Sequence, residues 1–137
     1  MQVQPYLSFE GRCEEAINFY KAAVGAQVIM LMRFKDTPPS AQPGMITPGT
    51  ENKVMHARLQ IGDSIIMASD GRCVGRAKFD GIYLSLTVAN DAEAESCFKA
   101  LGDGGQVQMP LSKTFFSSRF GMLADRFGVG WMILVAQ

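Results

Sequence analysis

The sequence predicts an α+β fold in which two βαβββ modules form curved mixed sheets around a cup, with the helices on the outer faces. Three observations predict it: a short repeat divides the chain, one helical pattern follows the first strand of each half, and three strands alternate between an apolar and a partly polar face. The modules are expected at about residues 1–72 and 80–137. They would share a single domain spanning residues 1–137, a usual size for one core.

The repeat joins the end of a helix to the strand that follows it. Residues 20–30 read YKAAVGAQVIM and residues 98–109 read FKALGDGGQVQM. An aromatic-Lys-Ala opening and a closing Gln-Val-x-Met recur in both, and the glycines between them are typical helix stops. Apolar residues at helical spacing predict a helix over residues 12–24. A cap at Asn90 or Asp91 predicts a second helix, over residues 91–102.

The remaining elements follow from apolar runs and turn residues. Strands are expected at residues 3–9, 27–34, 82–88, 106–111, 115–124 and 131–136, with a turn at DRFG between the last two and a hairpin over residues 54–70. Residues 35–53 hold four prolines and two glycines and predict a long loop, mobile without ligand. Whether this loop is a lid or a disordered segment stays open.

The hairpin, VMHARLQIGDSIIMASD, holds the single histidine of the chain. A two-residue turn at Gly62-Asp63 fixes its register, and cross-strand partners share a face. One face is apolar and is expected beneath a helix: Met55, Ala57, Leu59, Ile61, Ile66 and Ala68. The other is partly polar and is expected to face a shared, wet cavity: His56, Arg58, Gln60, Ile65, Met67 and Ser69. The strands at residues 3–9 and 82–88 alternate likewise, as in a sheet covered by helices on one side.

Composition excludes several classes of partner. Thirteen basic and thirteen acidic residues cancel, which predicts no binding of nucleic acid or of an anionic membrane. No apolar run is long enough to span a membrane, and the N-terminus lacks the pattern of a signal peptide. Three cysteines without a CxxC pair predict a reducing, cytoplasmic location, with Cys13 and Cys97 as buried, inert thiols. No GxGxxG, GxxxxGK[ST] or GxSxG motif occurs, and no cofactor is predicted.

Three stretches in order resemble the PhnB-like family of the vicinal oxygen chelate superfamily: QPYLSFEGRCEEAINFY, VMHARLQIGDSIIMASD and FGMLADRFGVGWMI. That superfamily contains glyoxalase I, bleomycin- and fosfomycin-resistance proteins and extradiol dioxygenases. The resemblance covers nearly the whole chain. It implies the same paired-module fold and a homodimer, for which an apolar fraction of 47% leaves room. PhnB-like domains are sometimes labelled demethylubiquinone methyltransferases, but the sequence has no glycine-rich loop after a strand with an acidic ribose partner.

The superfamily usually binds a divalent metal through histidine or glutamate on the first strand and the last hairpin strand of each module. The resemblance carries these positions to Gln4 or Pro5, to Met67, to Tyr83 or its neighbour, and to Met132. None of these suits Ni, Zn, Mn or Fe, so no metal is predicted. His56 could recruit few partners, since Asp70 is expected on the opposite face and Asp125 in a turn.

Three functions remain open. The first is a metal-free protein that binds a small, possibly anionic molecule in the cup; the second is a metal-independent enzyme with His56 as acid or base. The third, a divergent metal-dependent lyase or dioxygenase, is disfavoured by the missing ligands. The candidate ligand-binding residues are Tyr6, His56, Arg58, Met67, Ser69, Tyr83 and Met132. Arg58 suits an anion but could instead pair with a carboxylate across the sheet, and His56 could simply hydrogen-bond to Ser69 or a loop.

Overall fold

The computed structural model describes residues 1–38 and 47–137 and divides the chain into two compact units, Met1–Ala77 and Lys78–Gln137. Each unit has the order βαβββ, which confirms the predicted α+β fold of two modules. The first contains β1 (Tyr6–Ser8), α1 (Cys13–Val24), β2 (Gln27–Arg33), β3 (Val54–Ile61) and β4 (Ser64–Ser69). The second contains β5 (Tyr83–Val88), α2 (Asp91–Gly102), β6 (Gln106–Ser112), β7 (Phe120–Ala124) and β8 (Gly130–Val135). That the two units form a single domain stays a prediction.

The two sheets have the same topology. The strand orders are β1-β4-β3-β2 and β5-β8-β7-β6. In each sheet the first strand pairs parallel with the last, and the other pairs are antiparallel. Parallel pairing at one edge needs a crossover through the helix, which explains why each module opens with a strand and a helix.

The helix ends follow the sequence signals. Gly25 ends α1 in the left-handed region at φ 69°, where a residue without a Cβ is favoured. Asn90 caps α2 by accepting a hydrogen bond from the backbone N–H of Glu93 at 2.8 Å. In the second module the helix-ending residue is Asp103, and the left-handed glycine is Gly104, one position later.

The hairpin register is confirmed. Gly62 adopts φ 57° at the turn, and Ile61, Leu59 and Ala57 face Ser64, Ile66 and Ala68. The predicted apolar face is the buried one: Ala57 and Ala68 are 0% exposed and Leu59 is 1% exposed. Helix α1 contacts β3, as expected of the helix that covers this face. His56 and Arg58 therefore lie on the opposite face, only partly buried.

Four details differ from the sequence prediction. β1 spans only Tyr6–Ser8, and β7 begins at Phe120 because Thr114 and Ser117 close a turn before it. Cys97 is only partly buried, whereas Cys13 is fully buried as predicted. In the 35–53 segment, residues 34–36 form a short 3-10 turn, and residues 39–46 lie outside the described part of the chain. The predicted mobility of that loop therefore stays a prediction.

In the described ranges, neither helix has the length and apolar character that crossing a membrane requires.

Candidate ligand-binding site

The partly polar face of the first sheet gathers five of the predicted residues. Tyr6 lies opposite Met67, Met67 opposite Arg58, and Arg58 opposite Met30, so one row crosses all four strands. His56 lies opposite Met32 in the next row. Alternation along β4 puts Ser69 on the same face as Met67. We call this surface the open face; its members are Tyr6, Met30, Met32, His56, Arg58, Met67 and Ser69.

A hydrogen bond crosses the open face between its aromatic residues. The phenol oxygen of Tyr6 lies 2.9 Å from Nδ1 of His56, and the ring centroids are 5.5 Å apart. Tyr6 is on edge strand β1 and His56 on β3, so the tyrosine side chain reaches across the intervening strand β4. His56 is thus held by a side chain 50 positions away in sequence, rather than by Ser69 or a loop.

Ser69 lies beneath this contact and is only 6% exposed. Its hydroxyl oxygen accepts a hydrogen bond from the backbone N–H of Gly71 at 2.9 Å. Burial raises the pKa of Tyr6 above its usual value, and the nearby side chain of Ser69 acts in the opposite direction. The phenol therefore stays protonated and can donate to His56 at neutral pH.

Arg58 is the charged member of the open face. Its guanidinium makes no hydrogen bond or ion pair with any residue in the described ranges 1–38 and 47–137. The remaining segment, residues 39–46, reads PSAQPGMI and contains no acidic residue. The other basic side chains near a carboxylate pair with it, as Arg33 does with Glu14 at 2.6 Å. The alternative that Arg58 pairs across its sheet is therefore wrong.

The second unit has a corresponding face. Ser85, Met132, Met122 and Met109 form one row across its four strands. Tyr83 lies two residues before Ser85 on β5 and therefore on the same face. Its hydroxyl donates to Oε1 of Gln108 at 2.7 Å. The ring lies over Gly130, where an added Cβ would meet Cδ1 of Tyr83 at 2.8 Å. This face carries thioethers and neutral polar groups, a good wall for the apolar body of a ligand.

The structure thus brings Tyr6, His56, Arg58, Met67 and Ser69 together on one sheet, and Tyr83 and Met132 together on the other. That both groups line one pocket stays a prediction. Sequence reasoning did not include Met30, Met32 and Gln108 among the candidate residues. Alternation along β2, together with the repeat that aligns Met30 with Met109, was the signal that could have found them.

The buried carboxylates and the thiols do not join the site. Asp125 accepts hydrogen bonds from the backbone N–H groups of Phe127 and Val129 and from Nε1 of Trp131, at 2.9, 3.1 and 2.9 Å. The carboxylate of Asp70 likewise accepts hydrogen bonds from backbone N–H groups. Burial raises the pKa of the Cys13 thiol far above its usual value, so it stays protonated and unreactive.

Comparison with known proteins agrees with this architecture. Residues 1–134 match the model of the family described as 3-demethylubiquinone-9 3-methyltransferase. The chain belongs to this PhnB-like family. The protein YjdN of Escherichia coli (strain K12) is 36% identical to it over 144 residues, covering 100% of this chain and 97% of YjdN.

Two solved structures resemble the PhnB-like chain closely. Protein PA1353 from Pseudomonas aeruginosa has a TM-score of 0.85 at 41% identity, covering 100% of this chain and 98% of that one. The putative 3-demethylubiquinone-9 3-methyltransferase, PhnB protein, from Bacillus cereus has a TM-score of 0.80 at 27% identity, covering 99% and 100%. The fold also matches the fosfomycin resistance protein FosX of Listeria monocytogenes, with a TM-score of 0.66 at 8% identity. This likeness concerns the fold alone.

The residues do not fit the superfamily's metal. FosX of Listeria monocytogenes was solved in complex with Mn(II) and sulfate. At the positions that the resemblance assigns to ligands, this chain has Gln4 or Pro5, Met67, Tyr83 or its neighbour, and Met132. Thioethers are poor ligands for Mn, Ni, Zn or Fe. Among the described residues, no group of three or more His, Cys, Asp or Glu is placed to hold a metal ion. We therefore derive no step through a metal.

The residues do not fit a nucleoside-type methyl donor either, despite the family's description. In α/β proteins such donors bind where a glycine-rich loop presents free N–H groups at the start of a helix. Here the N–H groups of Gly11 and Cys13 at the start of α1 are bound by Asp70, and that of Glu93 in α2 is bound by Asn90. Both helix starts are closed by side-chain oxygens, and we derive no methyl-transfer step.

Proposed function

We propose that this chain binds a small anionic molecule on the open face of the first sheet, without a metal ion, and that Arg58 anchors the anion. The observation that carries the proposal is that Arg58 is partly buried and its guanidinium has no ion pair or hydrogen bond within residues 1–38 and 47–137. A charge held out of full hydration without a partner is unfavourable, so a ligand that supplies the opposite charge gains affinity there. The planar guanidinium suits the paired oxygens of a carboxylate, phosphate or phosphonate.

The neighbours of Arg58 favour an anion with an apolar body. Met30 and Met67 flank Arg58 in its row and would contact aliphatic or aromatic groups. His56 lies two positions away on β3 and adds a hydrogen-bonding group. The proposal also includes Tyr83 and Met132 of the second unit, on the strength of the superfamily resemblance.

The experiment is calorimetric titration and thermal shift with phosphate, methylphosphonate and benzoate. It uses the wild type, Arg58→Ala, Arg58→Lys and the control Arg126→Ala. Arg126 carries the same charge but pairs with Asp103 at 3.1 Å in the second unit, so its loss should leave anion binding unchanged. We expect Arg58→Ala to weaken binding by roughly tenfold or more and Arg58→Lys by less.

Two outcomes would overturn the proposal. One is equal stabilisation of wild type and Arg58→Ala by every anion, since the anchor would then lie elsewhere. The other is equal weakening in Arg58→Ala and Arg126→Ala, which would make binding a matter of net charge rather than of this site.

A second candidate function is metal-independent catalysis with His56 as acid or base. It is favoured by the hydrogen bond from Tyr6, which orients the imidazole as a catalytic histidine needs. A screen of anionic substrates would separate the two functions: His56→Gln abolishes turnover in a catalyst, whereas a pure binding protein shows no turnover in either form.

The proposal includes a homodimer in a reducing, cytoplasmic location. Apolar side chains exposed on the two units support an interface between copies: Ile29 is 49% exposed, Val107 49% and Phe115 101%. Cys13, Cys73 and Cys97 are all free thiols, as expected in a reducing compartment.

A further inference from the structure

Beneath His56, the direction of hydrogen bonding is fixed at the buried Ser69. A backbone N–H can only donate, so Gly71 donates to Oγ of Ser69 at 2.9 Å. Gly71 adopts φ 59°, and a Cβ there would meet Oγ of Ser8 and, at 2.9 Å, Oε1 of Glu10. A glycine is therefore needed at this position to bring its N–H to the serine, and the direction of this hydrogen bond cannot reverse.

The remaining donors follow in turn. Ser69 is 6% exposed and its hydroxyl oxygen already accepts from Gly71, so its proton is available to the nearby phenol oxygen of Tyr6. The phenol oxygen of Tyr6 lies 2.9 Å from Nδ1 of His56. Because a phenol O–H is a better donor than an imidazole N–H, the phenol is the expected donor of this hydrogen bond. A neutral imidazole that accepts at Nδ1 carries its proton on Nε2.

We propose that Tyr6 is a positioning residue that fixes neutral His56 with its proton on Nε2. The open face then presents an Nε2–H donor on the same strand face as the Arg58 guanidinium. Such a site selects a deprotonated oxyanion over a neutral amide of the same shape, because the amide offers fewer acceptors and adds donors. The selectivity rests on the proposed function, whereas the tautomer of His56 does not.

The groups around His56 do not compete for its protons. The open face contributes Tyr6 from β1, Met32 from β2, Arg58 from β3, and Met67 and Ser69 from β4. None of them is a carboxylate, the acceptor that would draw a proton to Nδ1 most strongly. Arg58 is a donor only and cannot accept from Nε2.

The single histidine makes the tautomer directly measurable by two-bond ¹H–¹⁵N correlation on protein labelled with ¹⁵N-histidine. The spectra are recorded at about pH 8.5, about two units above the usual histidine value. We expect Nε2 of the wild type to resonate as a protonated nitrogen and Nδ1 as a hydrogen-bonded acceptor. In Tyr6→Phe, Nδ1 should lose the hydrogen-bond shift and the tautomers should mix.

The control is Ser8→Ala. Ser8 lies on β1 on the same face as Tyr6, but its hydroxyl donates to Glu10 at 3.3 Å rather than to Tyr6 or Ser69. It should leave the His56 resonances unchanged, and Ser69→Ala should shift Nδ1 by a smaller amount than Tyr6→Phe. Thermal unfolding of each variant confirms that it is folded. A wild-type Nδ1–H tautomer, or unchanged Nδ1 resonances in folded Tyr6→Phe, overturns the proposal.

A binding measurement distinguishes this inference from the proposed function. Benzoate and benzamide have the same shape and differ in charge and in donors. The ratio of their affinities should fall roughly three- to tenfold in Tyr6→Phe, the effect of one hydrogen bond. An unchanged ratio overturns the selectivity. If the wild type binds neither probe while the tautomer is as expected, the proposed function fails and the positioning role of Tyr6 stands.

Discussion

Asp70 joins the start of helix α1 to the sheet through Cys13. Oδ1 of Asp70 accepts the backbone N–H of Cys13 at 2.8 Å and that of Gly11 at 2.9 Å. Oδ2 accepts the N–H of Val54, the first residue of β3, at 2.8 Å. The Asp70 side chain is only 1% exposed. One buried carboxylate thus satisfies three backbone donors and fixes where β3, the strand of His56 and Arg58, begins.

Asp70→Asn should therefore lower the free energy of unfolding substantially. An amide NH₂ must replace one carboxylate oxygen, so at least one buried N–H would face another donor. We expect a loss of about 2–4 kcal/mol, measured by urea unfolding. Asp63→Asn at the exposed hairpin turn is the matched control and should cost little. Equal effects of the two substitutions would contradict this role of Asp70.

The hairpin could be predicted from sequence because its determinants are local. The two-residue turn at Gly62-Asp63 sets the register, and alternation of period two then assigns each residue to a face. The helix ends were readable for the same reason, since Gly25 and Asn90 act within one turn of the helix. Placing His56 and Arg58 on the open face needed nothing beyond these local rules.

The contacts that complete the candidate site could not be predicted in this way. The Tyr6–His56 bond depends on the parallel pairing of β1 with β4, which local sequence does not encode. The saturation of Asp70 depends on where α1 meets the sheet. The start of β7 was misplaced because Phe115 and Phe116 suggest a strand, whereas Thr114 and Ser117 close a turn around them.

Stability at low pH should depend partly on Glu14. The hydrogen bond and charge of Arg33 hold the pKa of Glu14 below its usual value. A depressed pKa means that the pair stabilises the fold above the unfolded carboxyl value, about 4.3, and ceases to do so as pH falls through the folded value. Because the Glu14 side chain is exposed and that of Arg33 is only partly buried, the effect should be small.

The measurement is the melting temperature of wild type and Glu14→Gln as a function of pH. The wild type should melt slightly higher near neutral pH. The difference should shrink as pH falls below the unfolded carboxyl value and vanish once the folded carboxyl is protonated. Glu51→Gln serves as an exposed acidic control without an ion pair in the described residues. A difference that grows as pH falls would have the wrong sign for this pair.

The purified protein should contain no stoichiometric transition metal and should not turn over the hemithioacetal of methylglyoxal. Met67 and Met132 stand where the superfamily resemblance expects acidic or imidazole ligands, and thioethers bind Ni, Zn and Mn weakly. Elemental analysis, followed by a glyoxalase assay with added nickel or zinc, checks both. Stoichiometric metal, or turnover that depends on metal, would reject the prediction.

The chain should be a homodimer at micromolar concentration. Exposed apolar side chains such as Ile29 and Phe115 would be covered by a second copy. Light scattering coupled to size exclusion gives the mass, and a dimer should have twice the 14.9 kDa of one chain. Elution with the mass of one chain at micromolar concentration would contradict the prediction.

Gly130→Ala should displace the ring of Tyr83 on the second sheet. A Cβ at this position would lie 2.8 Å from the backbone oxygen of Ile82 and 2.8 Å from Cδ1 of Tyr83. The backbone oxygen cannot move without breaking the pairing of β5 with β8, so the ring must shift. Its hydroxyl would then lose Gln108. We expect a loss of about 1–3 kcal/mol in the free energy of unfolding.

Two comparisons show whether the space over Gly130 is the cause. Gly102→Ala is the matched control, because its Cβ would make only an ordinary contact, 3.6 Å from Leu123, and should cost little. Tyr83→Phe removes the hydroxyl and keeps the ring, so it should cost less than Gly130→Ala. In Gly130→Ala combined with Tyr83→Ala, part of the penalty should disappear because the ring is gone. Strictly additive effects would mean that Tyr83 does not press on Gly130, and the position of its ring over β8 would be wrong.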